Sequence, residues 1–270
     1  MLNIHRLSIL TQFELNRIFK TKNGLIALTA FCAVWFVLLY YVISSATDIV
    51  FSDTFKVAAS TLFGSLGLSA LLKWPVAEFS IYWLVAVYSF PIFTLLVTSD
   101  QTCSDRARGT LRFITLRATR SEILLGRFLG QFLILVSLIL LTLLACVALA
   151  VARDGALLFP AIKQAAVLFV ELSIIILPFI ALMSFFNSIL SSAKMSIVAG
   201  ILFYTLGALL IGFIQFQLNS GLFLNFIFPG TQISRVVSLE ILDFYHYLIP
   251  LFQTVVLLFV ADKLLKRASI

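Results

Sequence analysis

DQTCSDRARGTLRFITLRATRSEILLGRFLG, residues 100–130, is the longest charged interval in a chain that is otherwise mostly hydrocarbon. It holds six arginines: Arg106, Arg108, Arg112, Arg117, Arg120 and Arg127. Apolar runs of membrane-spanning length flank it on both sides, so it reads as a loop between two spans. Its arginine excess places it on the cytoplasmic side, and the rest of the topology follows from that placement.

The remainder of the 270 residues supports the membrane reading. The chain is 61% hydrophobic and 11% charged, with a mean hydropathy of +1.11. A soluble domain of this size cannot cover that much apolar surface with so few charges. No run alternates apolar and polar residues over the roughly ten positions that a barrel strand needs, which leaves helices as the spanning structure. The fold expected is therefore an all-α integral membrane protein. A net charge of +7 would suggest nucleic acid in a soluble protein, but these basic residues flank apolar runs and read as topogenic charges and headgroup contacts. Cys32, Cys103 and Cys146 form no disulfide framework, and His5 and His246 provide no metal-ligand cluster.

Taken in order, residues 1–23 are too polar to span. Ile4, Leu7, Leu15 and Ile18 fall within one helical face, opposite His5, Arg6, Arg17 and Lys20, as in a helix lying in the membrane interface. Spans are expected at about 25–45, 79–98, 123–152, 164–186, 195–215 and 247–261. Pro91 and Pro178 sit inside two of them, where kinks are expected. Residues 48–78 lie outside, and a short outer turn includes Arg153, Asp154, Gly155 and Pro160. A further outer segment at 217–245, broken by Asn225, Pro229-Gly230 and Arg235, reads as semi-embedded. Gly126 and Gly130 make a G-x-x-x-G at the start of the third span, a weak packing signal. With both termini inside, fourteen of the 19 lysines and arginines face the cytoplasm.

Catalytic fingerprints are absent: the chain has no G-x-S-x-G, H-E-x-x-H or G-x-x-x-x-G-K. It is not expected to be an enzyme, and without a nucleotide site any ATP-driven work must come from another subunit. Glu171 is the one acidic residue well inside a predicted span. It reads either as a contact for substrate or protons in a pathway, or as a hydrogen-bonded glutamate that holds helices together.

Ser104-Asp105-Arg106-Ala107-Arg108-Gly109-Thr110-Leu111-Arg112, followed by residues 119–130, TRSEILLGRFLG, resembles the cytoplasmic signature of ABC-2 type transporter permeases. Asp105 stands where that family frequently has Glu, and Arg127 where it frequently has Lys. ELNRIFKTK, residues 14–22, is similar to the family's amphipathic N-terminal helix, and the six-span layout agrees along the whole chain.

The resemblance implies a permease subunit of an exporter in the cytoplasmic (inner) membrane. It would pair with itself or a related permease and be powered by separate ABC ATPase subunits. ATP and Mg would then bind the partner ATPase, with no cofactor in this chain and no nucleic-acid partner. Loop 100–122 would carry the coupling helix, with Asp105, Arg106, Arg108, Gly109, Thr110, Leu111 and Arg112 as coupling residues. Leu111 and Ile114, three apart, could share one apolar face, whereas Phe113 and Leu116 point elsewhere. Two other readings stay open: a stand-alone ion-coupled carrier, and a membrane enzyme acting on lipids. The cargo is not written in the sequence.

Overall fold

The computed structural model describes residues 3–45, 52–54, 57, 74–218, 228 and 244–267. Helix α1 spans Ile4–Lys20, with the Asn3 side chain accepting from the His5 amide at its N-terminus. Thr21 breaks the chain direction and caps α2, Lys22–Val37, which continues through a π-turn at Leu38–Ile43. Then come α3 (Ala77–Val97), α4 (Cys103–Ala107), α5 (Thr110–Thr115), α6 (Arg120–Arg153), α7 (Leu158–Ile189), α8 (Ala193–Leu218) and α9 (Phe244–Arg267). Among the described residues there is no strand, and six helices are long and apolar enough to cross a bilayer: α2 with its π-turn, α3, α6, α7, α8 and α9. The chain is a multi-pass helical membrane protein.

Two boundaries differ from the sequence expectation for identifiable reasons. The fourth span begins at Leu158 instead of near Gln164, so Pro160 lies in the first turn of α7. The first turn of a helix has no carbonyl acceptor for its N–H groups, and a proline there costs no hydrogen bond. The sixth span does not end near Ala261, because α9 runs on to Arg267. Lys266 Nζ pairs with Asp262 one turn earlier at 2.5 Å, and Arg120 caps the last carbonyls. Most of the expected outer segment 217–245 and most of 48–73 lie outside the described residues.

α7 is the central helix, packed by α3, α6, α8 and α9. Its Ile176, Ile180 and Met183 join Phe79, Trp83 and Phe90 of α3 and Ile134, Leu135 and Ile139 of α6 in one core. In lipid this burial supplies little net driving force, because acyl chains are as apolar as leucine; close packing and interhelical hydrogen bonds must hold the bundle. One such bond, Tyr82 to Thr142 at 2.8 Å, joins α3 to α6 inside that core. Near one end of the bundle Arg153 meets the buried Glu78 at 3.0 Å. Among the described residues, most of the remaining polar contacts between elements gather at the opposite end, where α1, residues 98–119, the α7–α8 turn and the end of α9 meet.

Candidate functional site: a braced arginine loop

The loop folds because it contains one residue that can reverse a helix cheaply. Gly109 adopts φ +71, the left-handed region that a side chain disfavours, and so ends α4 and starts α5. Thr110 Oγ1 then donates to Asp105 Oδ1 at 2.9 Å, locking the two short helices together.

The other Asp105 oxygen receives the guanidinium of Arg127, which is 2% exposed. Arg127 Nε also stands 3.9 Å from the carboxylate of Glu14, a fully buried residue of α1. The remaining Glu14 oxygen accepts from Gln131 at 3.0 Å and pairs with Arg17 at 3.1 Å, while Arg17 donates to the Asp100 carbonyl at 2.9 Å. Two carboxylates and two guanidiniums thus balance in a water-poor seam between α1, the loop and α6. Burial pushes the Glu14 carboxyl above its ordinary range, with Arg17 and Arg127 opposing.

That seam depends on the G-x-x-x-G. A Cβ at Gly126 would stand 2.6 Å from Leu10 Cβ, and one at Gly130 2.6 Å from Glu14 Cβ. Thr11 Oγ1 also donates to the Gly126 carbonyl at 3.1 Å. The small-residue groove therefore seats α1, and its use is on the helix outside the six spans.

Three further braces reach other elements. Arg106 donates to the carbonyls of Ser188 (2.9 Å) and Ile189 (3.4 Å), placing a cation on the C-terminus of α7. Asn187 Nδ2 donates to the Thr98 carbonyl at 3.0 Å and its Oδ1 accepts from Cys103 Sγ at 2.9 Å. Ser121 bonds Asp262 at 2.6 Å beside the Arg120 cap on α9. The start of α6 carries a capping box in which Thr119 Oγ1 accepts from the Glu122 amide, and Glu122 accepts from the Thr119 amide at 2.8 Å. The second Glu122 oxygen accepts from the Asn3 amide at 2.9 Å, tying down the N-terminus of α1.

The seven residues expected to couple divide into two groups. Asp105, Arg106, Thr110 and Leu111 hold the loop in place; Leu111 is 1% exposed, buried with Ala118 and Ile123 beneath α5 and flanked by Ile114 and Leu10. The apolar face shared by Leu111 and Ile114 is thus the inner face. Arg108 and Arg112 are exposed, with Gly109 at the turn between the helices. Beside them the loop presents Phe113 at 72% and Leu116 at 82% exposure, the two residues that helical spacing leaves off the apolar face.

Other expectations change with the contacts. Arg17, expected on the polar outer face of α1, turns toward Glu14 and Asp100, while Ile4 is exposed. An apolar wheel cannot anticipate this, because the partner surface on α6 is itself charged. Sequence reasoning passes over Glu14, Arg127 and Gln131 as a functional group; an arginine and a glutamine interleaved with Gly126 and Gly130 in an apolar helix are the available signal. Glu171 has a partner: Tyr247 of α9 donates to it at 3.5 Å. Among the described residues no group of three or more His, Cys, Asp or Glu could hold a metal ion. In comparisons with known proteins, no family model matches the chain and no curated protein is significantly similar to it.

Proposed function

We propose that this chain is the membrane-spanning permease subunit of an ATP-driven ABC-2 type exporter, with the arginine loop on the cytoplasmic side docking separate ATPase subunits. A second permease chain completes the substrate pathway. The observation that carries this reading is a loop braced to four elements on its inner side while it offers Phe113, Leu116, Arg108, Arg112 and Arg117 outward. A topogenic loop needs only its positive charge; exposed aromatic and aliphatic side chains on a rigid mount suit a protein contact. Rigid mounting also suits transmission, because force on the loop reaches α1, α6, α7 and α9 through hydrogen-bonded links instead of being absorbed by a flexible tether. The Glu171–Tyr247 contact favours the helix-pairing role for that glutamate over a pathway role.

The decisive variants are outward-facing, since reversing Arg106 would also uncap α7. Phe113→Ser with Leu116→Ser is expected to leave membrane insertion and thermal stability unchanged while abolishing co-purification of the ATPase and transport. An intact, active complex carrying both substitutions overturns the coupling assignment. Transport by the isolated chain under a proton gradient would favour the carrier.

A further inference from the structure

A pocket of about 450 Å³ opens at the N-terminal tip of α6, lined by Arg6 of α1 and by Thr115, Leu116, Arg117, Ala118 and Thr119 of the loop. Two arginines from different elements therefore line one cavity. The nearby negative charge is Glu122, 3.8 Å from Arg6, but it is buried, and both of its oxygens already accept backbone amides. It can offset about one of the two positive charges while remaining fixed. Arg6 keeps half of its side-chain surface open, and Arg117 is exposed. The pocket is thus cationic overall, has an apolar wall in Leu116, and has room for an anionic side chain to enter from outside.

Helix length decides where that group comes from. α6 has 34 residues, so it is about 51 Å long at ~1.5 Å per residue, against a hydrocarbon core of about 30 Å. With Arg153 at one boundary of the core, the other boundary falls near residue 133, and a headgroup layer of about 6 Å reaches to near residue 129. Sequence polarity agrees: Arg127 and Gln131 mark the end of the uninterrupted apolar run. Thr119 then stands about 15 Å beyond the headgroup layer, and still about 12 Å beyond with a helix tilt of ~20°. A lipid phosphate does not reach it, whereas a soluble protein does.

Resting on the function proposed above, we infer that this pocket receives a carboxylate of the ATPase subunit, clamped between Arg6 and Arg117, so that α1 and the loop form one composite docking surface. The carboxylate would accept from both guanidiniums, with the neighbouring apolar side chains excluding water. Because Arg6 and Arg117 belong to separate elements, the clamp reads the position of α1 against the loop.

The test uses the full-length chain in nanodiscs with the ATPase that co-purifies with it. Arg6→Ala and Arg117→Ala are each expected to weaken ATPase binding about five-fold, the upper range for exposed ion pairs. The double variant should lose less than the product of the two, and the loss should vanish in high salt. A photocross-linker at position 117 should mark a segment of the ATPase that contains an acidic residue. Reversing that residue to Arg together with Arg117→Glu should restore affinity, a result that a merely structural arginine cannot produce. Wild-type affinity in both alanine variants, or their weakening only the binding of anionic nanodisc lipid, overturns the pocket assignment. If Phe113→Ser with Leu116→Ser still abolishes the complex in that case, the docking function survives without the clamp. If the wild-type chain binds no ATPase at all, the function proposed above fails, and the pocket assignment fails with it.

Discussion

The two ends of the bundle are built on different principles. At the arginine-rich end, polar bonds link α1, the loop, α6, α7 and α9, through Glu14, Asp105, Arg106, Arg120, Arg127, Asn187 and Asp262. At the other end, the described residues offer the Glu78–Arg153 pair, with Tyr82–Thr142 and Tyr247–Glu171 as further polar ties between spans. Much of the remaining contact among the described residues is apolar packing. Since apolar surface gains little by leaving lipid for protein, the spans can slide or tilt against one another at modest cost where they meet only through hydrocarbon. The stitched end cannot. Among the described residues, the difference is between a cross-linked polar base and spans that meet mainly through hydrocarbon.

Breaking the base at its centre should have the largest effect. Arg127→Met leaves the buried Glu14 and the half-buried Asp105 without their shared cation, with Glu14 keeping only Arg17, a loss on the order of 3 kcal/mol, visible as failed accumulation or a strongly lowered Tm in detergent. Glu14→Gln should be far milder. Burial raises the Glu14 pKa, so protonation contributes stability at low pH that is lost as pH rises through the raised value. The amide removes the carboxylate whose charge burial penalises and can still accept from Gln131, while Arg127 keeps Asp105 and Arg17 keeps the Asp100 carbonyl. If the two variants prove equally damaging, the seam is not governed by charge balance.

Next comes the groove. Gly130→Val forces Glu14 away from α6 and should cost about 1–3 kcal/mol, read as a lowered Tm in detergent. Unchanged stability in Gly130→Val would mean that α1 does not seat on α6 at that glycine. Thr119→Ala removes one half of the capping box and should cost about 1 kcal/mol, with hydrogen exchange rising at the first turn of α6. The smallest effect belongs to the half that meets mainly through hydrocarbon: Tyr247→Phe removes a long hydrogen bond and should shift stability by at most about 0.5 kcal/mol. A large shift there would show that the two halves are more alike than their contacts indicate.

Much of the layout was legible because membranes impose coarse rules. Twenty-residue apolar runs around a cluster of arginines specify six spans, and the ends move by only a few residues when helix capping and first-turn proline are taken into account. The braced loop was legible only in outline. Gly109 and the Asp105 to Arg112 order mark it, but helical spacing assigns Leu111 to the docking face and passes over Phe113 and Leu116. Spacing identifies which residues share a face of α5; what that face meets depends on Ala118, Ile123 and Leu10, which return from elsewhere in the chain.

Composition, apolar run lengths and charge asymmetry were enough to determine an all-helical protein of six spans with its positive loop between the second and third. Each is a local property, read against a solvent whose thickness is fixed. Tertiary structure alone decided that Glu14 of the first helix, Asp105 of the loop and Arg127 of the third span form one buried charge balance, and that the glycine pair exists to admit α1. A charge in a low-dielectric seam is tolerable only beside its partner, and partners more than a hundred residues apart in sequence are brought together by packing, not by pattern.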